Sequence, residues 1–199
     1  MQQAIKYIHL TEKLPLGKKR NESHLYCNGE IFVYMDDDDF YPPSRIQNAV
    51  DSLSNSDKEI AGSSTLPILC IDNADFFMSK SASENHPSPG TFAFKCSYLE
   101  NHSYAEEDMF EEEREFLSNY TSPIIQLDPF QTIPCISHNS NTNKKYATPQ
   151  KAGTDQSFID NSREQTQLSE TQRKVLNLIR DEYLAARTAP LTAKIRYTF

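Results

Sequence analysis

The sequence predicts an α/β domain over residues 1–145, a mixed sheet flanked by helices. Short apolar segments bounded by turn residues alternate with segments of helical periodicity, which is typical of layered α/β domains. A chain of 199 residues is long enough for one such domain with a core and a tail. From Asn139 the composition becomes polar, so we expect a linker at 146–167 and a C-terminal helix and tail at 168–199.

The first half of the chain alternates between strand and helix patterns. The predicted elements are a strand at 4–10, a helix at 18–27, a strand at 30–35, a helix at 42–56 and strands within 60–72. The first helix should stop at Asn28-Gly29, because glycine commonly follows the last helical residue. Pro42 and Pro43 suit the first turn of the second helix.

The second half continues this alternation and ends in an amphipathic helix. The predicted elements are a Pro/Gly loop and strand within 84–99, a helix at 106–120, strands at 124–128 and 132–138, and a helix from 168. Ser169 and Gln172 form a capping-box pattern at the start of the last helix. Its predicted apolar stripe consists of Leu168, Val175, Ile179, Tyr183 and Ala186.

Composition and charge restrict the function classes. The net charge is -8, and an acidic chain lacks the basic face that phosphate backbones require, so we expect no nucleic-acid partner. No apolar run reaches the roughly 18 residues of a transmembrane helix. The N-terminus lacks the apolar core of a signal peptide, and the four cysteines include no CxxC pair. These features predict a cytoplasmic protein with reduced thiols.

Four consecutive aspartates, Asp36 to Asp39, follow the predicted strand at 30–35. Like charges this close repel one another, and a divalent cation would relieve the repulsion. Mg²⁺ and Mn²⁺ are often held by one or two carboxylates, with substrate phosphates completing the shell. Ligands of open α/β sheets bind beyond the carboxyl ends of strands, where this run lies. The alternative is a solvated acidic loop, the usual fate of a charge run.

The segments PLGKKRNES and CNGEIFVYMDDDDFYPPSRI together resemble family 2-like glycosyltransferases of the GT-A fold, which is Rossmann-like. The likeness covers about residues 13–142. Further segments follow in the order seen in small glycosyltransferases of large DNA viruses and microbes: IAGSS, PGTFAFKCSYLE, FEEEREFLSNYTSPIIQLDP and ISHNSNT. The resemblance implies an inverting transfer of sugar from a nucleotide-sugar, UDP- or GDP-linked, to a hydroxyl of a glycan or other acceptor, with Mn²⁺ or Mg²⁺ as cofactor.

The resemblance also implies roles for individual residues. The implied metal ligands are Asp36, Asp38, Asp39 and His138. The implied nucleotide contacts are Lys18, Arg20, Asn21, Asp36, Asp37, Gly90 and Thr91. The implied sources of the catalytic base are Glu112 and Glu113, although a solvated acidic helix face is the alternative for this pair. His86, in a Pro/Ser loop, could face the acceptor or lie on a plain surface loop.

The sequence departs from the family at its start. Only 17 residues precede Lys18, where the family has a longer strand–helix unit, so we expect that unit to be missing. An open sheet edge would result, and unpaired edges favour association with a second copy or a partner chain. The alternative function is a non-catalytic, glycosyltransferase-like binding or scaffolding protein.

Overall fold

The computed structural model describes residues 6–71, 75–80, 83–107, 112–137, 163–164 and 169–188. The helices are α1 (Leu16–His24), α2 (Arg45–Ser54), α3 (Glu113–Phe116), α4 (Pro129–Thr132) and α5 (Glu170–Thr188). The strands are β1 (Ile31–Val33), β2 (Ile60–Gly62), β3 (Thr65–Cys70), β4 (Asp75–Lys80), β5 (Ala93–Lys95), β6 (Ile124–Gln126), β7 (Cys135–Ser137) and β8 (Arg163–Glu164). Two 3₁₀ turns span Pro89–Thr91 and Cys96–Glu100.

The strands form two four-stranded sheets, ordered β1-β5-β2-β6 and β7-β3-β4-β8. Each sheet is mixed, because β2 runs parallel to β6 and β3 runs parallel to β7 while the other pairs are antiparallel. The predicted α/β class with mixed strands and flanking helices is therefore confirmed. The chain passes from the first sheet to the second at Ser63 and Ser64, between β2 and β3.

An aromatic core fills the space on one side of the first sheet. Phe92, Phe94 and Phe116 are fully buried there, with Phe32 and Tyr104 beside them. The rings of Tyr104 and Phe116 stack with centroids 4.2 Å apart. Each buried aromatic side chain contributes roughly 1.5–3 kcal/mol through burial, so this core fixes β1 and β5 against the segments that follow them.

The second sheet packs against α5. Leu176 and Ile179 of that helix lie against Leu69, Met78 and Ile136. The predicted capping box is confirmed at its start: the Gln172 amide donates to the Ser169 hydroxyl at 3.2 Å, and the Ser169 amide donates to the Gln172 side chain at 2.9 Å.

Some local predictions were wrong. Residues 6–10 form no strand, and Tyr7 is 83% exposed. Within the described part of the predicted helix at 106–120, only Glu113–Phe116 is helical. Three left-handed residues, Ser118 to Tyr120, end that helix and turn the chain. In α5 the predicted Ile179 does face the core, but its neighbour there is Leu176, whereas the predicted Val175 is 48% exposed.

The four cysteines are free, with Cys70 and Cys135 buried, in agreement with the predicted reduced thiols. Among the helices in the described ranges, none has the length and apolar character needed to cross a membrane. Within the expected linker, Arg163–Glu164 pairs with β4.

Candidate active site

The chain leaving β1 is held against the 3₁₀ turn that precedes β5. The Tyr41 hydroxyl accepts a hydrogen bond from the Asp36 amide at 2.8 Å and donates one to the Gly90 carbonyl at 3.1 Å. A Cβ atom on Gly90 would lie 2.7 Å from the Asp36 carboxylate, which is too close for any side chain. Gly90 therefore allows the Asp36 carboxylate to rest directly on the backbone of the turn.

Arg45, the first residue of α2, ties the same two segments together from inside the protein. Its side chain is almost fully buried, and Nη2 donates to the carbonyls of Tyr34, Thr91 and Phe92 at 3.3, 2.9 and 2.9 Å. Burial lowers the pKa of Arg45 to about 10, so the guanidinium stays charged at neutral pH. Such charged donors fix the exit of β1 beside the turn.

Arg20 connects the aspartate run to the acidic pair. Its guanidinium lies 3.8 Å from the Asp36 carboxylate and 3.7 Å from the Glu112 carboxylate, and its side chain is 11% exposed. It also lies over the rings of Tyr34 and Tyr104, at 4.9 and 5.7 Å from their centroids. Burial alone would lower the pKa of Arg20, but these tyrosines and carboxylates raise it overall. A permanent cation therefore sits between two carboxylates.

Glu113 points to a different partner from Glu112. Its carboxylate lies 3.2 Å from His86 Nε2, and the His86 ring packs on Tyr120 with centroids 4.0 Å apart. Both glutamates are buried, with 7% and 6% of their surface exposed. The solvated acidic face considered for this pair is therefore wrong, since both carboxylates point into the protein.

The rest of the aspartate run spans exposed and buried positions. Asp37 and Asp38 are exposed at a turn, whereas Asp39 turns inward and accepts a hydrogen bond from the Ile136 amide at 2.8 Å. The pKa of Asp39 is raised to about 7, mainly by burial; the hydrogen bond from Ile136 opposes this rise, and the charges of Asp38 and Asp36 add to it. The run thus places two exposed carboxylates next to an inward-facing one that contacts the second sheet.

The donor set fits a cation bound mainly by its substrate. Within the described part of the chain, no three His, Cys, Asp or Glu side chains converge as a metal site. Mg²⁺ and Mn²⁺ sites that also use phosphate oxygens need only one or two carboxylates, and Asp36 and Asp38 are the candidates that the sequence predicted. His138, the remaining expected ligand, lies outside the described residues.

Other predicted contacts have structural partners. Asn21 accepts from the Tyr104 amide at 2.9 Å and donates to its carbonyl at 3.0 Å, which attaches α1 to that segment. The Thr91 hydroxyl accepts from the Ser63 amide and is fully buried. Lys18 is half-buried on α1. The structure therefore brings Arg20, Asp36, Gly90 and Glu112 together, while the polar groups of Asn21 and Thr91 bind backbone.

The sequence did not single out Tyr41 and Arg45 as site residues, and it left the role of His86 open. Tyr41 and Arg45 lie in the FYPPSR segment after the aspartates, where Pro-Pro indicated only a helix start. His86 was left between an acceptor-facing residue and a surface one. Their roles depend on contacts with residues 27 to 49 positions away, which local patterns do not reveal.

The fold and the site together define a mixed α/β protein in which charged side chains meet where a strand ends in aspartates. The model for glycosyl transferase family 2 matches residues 1–112, more than half of the chain. The chain belongs to this glycosyltransferase family. The matched range contains Arg20, Asp36 and Gly90 and ends at Glu112. No curated protein matches the sequence.

Proposed function

We propose that this protein is a metal-dependent glycosyltransferase that moves a sugar from a nucleotide-sugar, UDP- or GDP-linked, to an acceptor hydroxyl by a single, inverting displacement. The observation that carries the proposal is the position of Arg20 between Asp36 and Glu112. This contact joins three elements of the family resemblance: the basic helix, the aspartate run and the acidic pair.

The aspartates would serve the leaving group. Asp36 and Asp38 would hold Mn²⁺ or Mg²⁺, which when bound takes up charge on the departing nucleoside diphosphate. Arg20 adds a fixed cation at the same place, only 3.8 Å from Asp36, and guanidinium groups bind phosphate oxygens well. Gly90 lets the Asp36 carboxylate rest against the backbone of the turn, which fixes the position of this candidate metal ligand.

The acidic pair would serve the acceptor. An attacking hydroxyl must lose its proton, and a positioned base contributes roughly 10²–10⁴-fold to such a step. Glu112 already lies against Arg20, whereas Glu113 lies against His86 on the other side. Glu113 is therefore the better carboxylate to serve the proton transfer, and Glu112 is the better partner for Arg20.

Thermal melting with Mn²⁺ and a panel of nucleoside diphosphates tests the donor site. A ligand that binds only the folded state at 100 times its Kd stabilises by about 2.7 kcal/mol, so melting should rise with ion and nucleotide together. Asp38→Asn should remove the joint rise, while Glu113→Gln should keep it and stop turnover. Asp57→Asn, at an exposed aspartate that is not among the site residues, is the matched control and should behave as wild type.

A folded wild-type protein whose melting temperature changes with none of these ligands would overturn the proposed donor site. It would favour the non-catalytic binding or scaffolding function instead.

A further inference from the structure

We propose that His86, oriented by Glu113, is the residue that contacts the acceptor hydroxyl and accepts its proton. This inference rests on the proposed function and specifies which side chain meets the acceptor. It differs from direct use of Glu113, whose carboxylate lies behind the imidazole.

Exposure distinguishes the two side chains. The Glu113 side chain is 8% exposed, whereas the His86 side chain is 29% exposed. An ionised carboxylate can only accept a hydrogen bond, so the Glu113 contact at 3.2 Å favours the tautomer in which His86 Nε2–H donates. Nδ1 of that neutral ring is then free to accept a proton. A base oriented by a buried carboxylate is the arrangement used by many enzymes that activate hydroxyl groups.

The loop that carries His86 is fixed on both sides of it. The Gln126 side chain donates to the Glu84 carbonyl at 2.6 Å, and the Ser88 amide donates to the Ser63 carbonyl at 3.3 Å. Gln126 belongs to β6, and Ser63 directly follows β2. A catalytic side chain held on rigid elements keeps its geometry, so this loop is suited to position an imidazole.

The support beneath the ring contains backbone strain. Ser118, Asn119 and Tyr120 have φ angles of 50°, 57° and 62°, three consecutive non-glycine residues in the left-handed region. Such conformations cost on the order of 1–3 kcal/mol each and occur preferentially at functional sites. Here the strained turn presents the Tyr120 ring to His86 at 4.0 Å between centroids. The strained turn thus lies where the His86 imidazole is supported.

The imidazole is also within reach of the donor site. His86 precedes Gly90 by four residues, so their Cα atoms are at most about 14 Å apart, and Gly90 contacts Asp36. The acidic pair gives a second connection, because Glu113 contacts His86 and the neighbouring Glu112 contacts Arg20. A sugar attached to a diphosphate at Asp36 and Arg20 would lie within this interval.

In the proposed step one bond forms and one bond breaks at the anomeric carbon of the donor sugar. The acceptor oxygen forms a bond to the anomeric carbon while its proton moves to His86 Nδ1. The bond from the anomeric carbon to the diphosphate oxygen breaks, and its electron pair leaves with the nucleoside diphosphate. Glu113 stabilises the imidazolium that forms.

Release of nucleoside diphosphate from a nucleotide-sugar, with water as acceptor, measures the step directly. His86→Ala should lower this rate by about 100-fold or more, through kcat, and added imidazole should restore part of it. The joint melting rise with Mn²⁺ and nucleoside diphosphate should remain. His86→Gln serves as a second variant that keeps more of the packing on Tyr120, and His9→Ala, an exposed histidine, is the matched control.

Histidine ¹⁵N spectra give a readout that does not depend on activity. In wild type the neutral His86 ring should carry its proton on Nε2, and Glu113→Gln should weaken that tautomer preference. A wild-type ring protonated on Nδ1, or His86 variants with full turnover, would overturn the inference alone. If the melting temperature of wild type does not rise with Mn²⁺ and nucleoside diphosphate together, the proposed function is overturned, and this inference with it.

Discussion

Asp39→Asn should stabilise the metal-free protein at alkaline pH. Burial raises the pKa of Asp39 from its ordinary value of 3.8 to about 7 in the folded state. A pKa that is higher in the folded state means that folding favours the protonated carboxyl. The resulting stability is fully present below pH 3.8 and is lost as the pH rises through about 7.

The magnitude follows from the size of the pKa change. A rise of about three pH units corresponds to roughly 4 kcal/mol lost at pH 8, and to a little under half of that at pH 5. An asparagine can still accept the 2.8 Å hydrogen bond from the Ile136 amide, at a cost of about 1 kcal/mol for the missing charge. The variant should therefore exceed wild type by about 3 kcal/mol at pH 8 and by less than about 1 kcal/mol at pH 5.

Urea unfolding in EDTA at the two pH values measures this difference, with Asp57→Asn as the matched exposed control. Equal stabilisation at both pH values would show that the effect does not come from ionisation. A destabilised variant at pH 8 would show that the charge on Asp39 supports the fold, contrary to this reasoning.

Three other variants test the framework of the site by urea unfolding. Gly17→Ala should destabilise by about 1–3 kcal/mol, because its Cβ would collide with the Ala105 carbonyl oxygen. Gly29→Ala, with no contact closer than 3.5 Å, should not, and equal effects would contradict the close packing of α1. Arg45→Met should cost about 2–4 kcal/mol by leaving buried carbonyls without their donor, and a neutral result would refute that role. Ser169→Ala should lower the free energy of unfolding by about 1 kcal/mol and reduce helical circular dichroism. Unchanged stability would show that α5 does not depend on this cap.

The sequence predicted well what depends on local pattern. The apolar run before Asp36 became β1, the basic segment became α1, and the Ser169 capping box formed as expected. Each of these depends on residues within a few positions of one another, where propensity and periodicity are informative.

The parts that local patterns missed depend on long-range packing. The contact between Gly90 and Asp36 joins residues 54 positions apart, and Arg45 reaches carbonyls on the far side of the same turn. The predicted helix at 106–120 was too long in its described part because the strained turn at Ser118 to Tyr120 overrides helix propensity. In α5 the choice of Leu176 over Val175 is set by the second sheet, since both are apolar.

Release of nucleoside diphosphate from a panel of UDP- and GDP-sugars, measured with and without Mn²⁺, tests the central claim most directly. The account predicts that at least one donor is cleaved only with the ion present, that Asp38→Asn abolishes the release, and that Asp57→Asn does not. Folded wild-type protein that cleaves no donor under any of these conditions, or an Asp38→Asn variant as active as wild type, would contradict it.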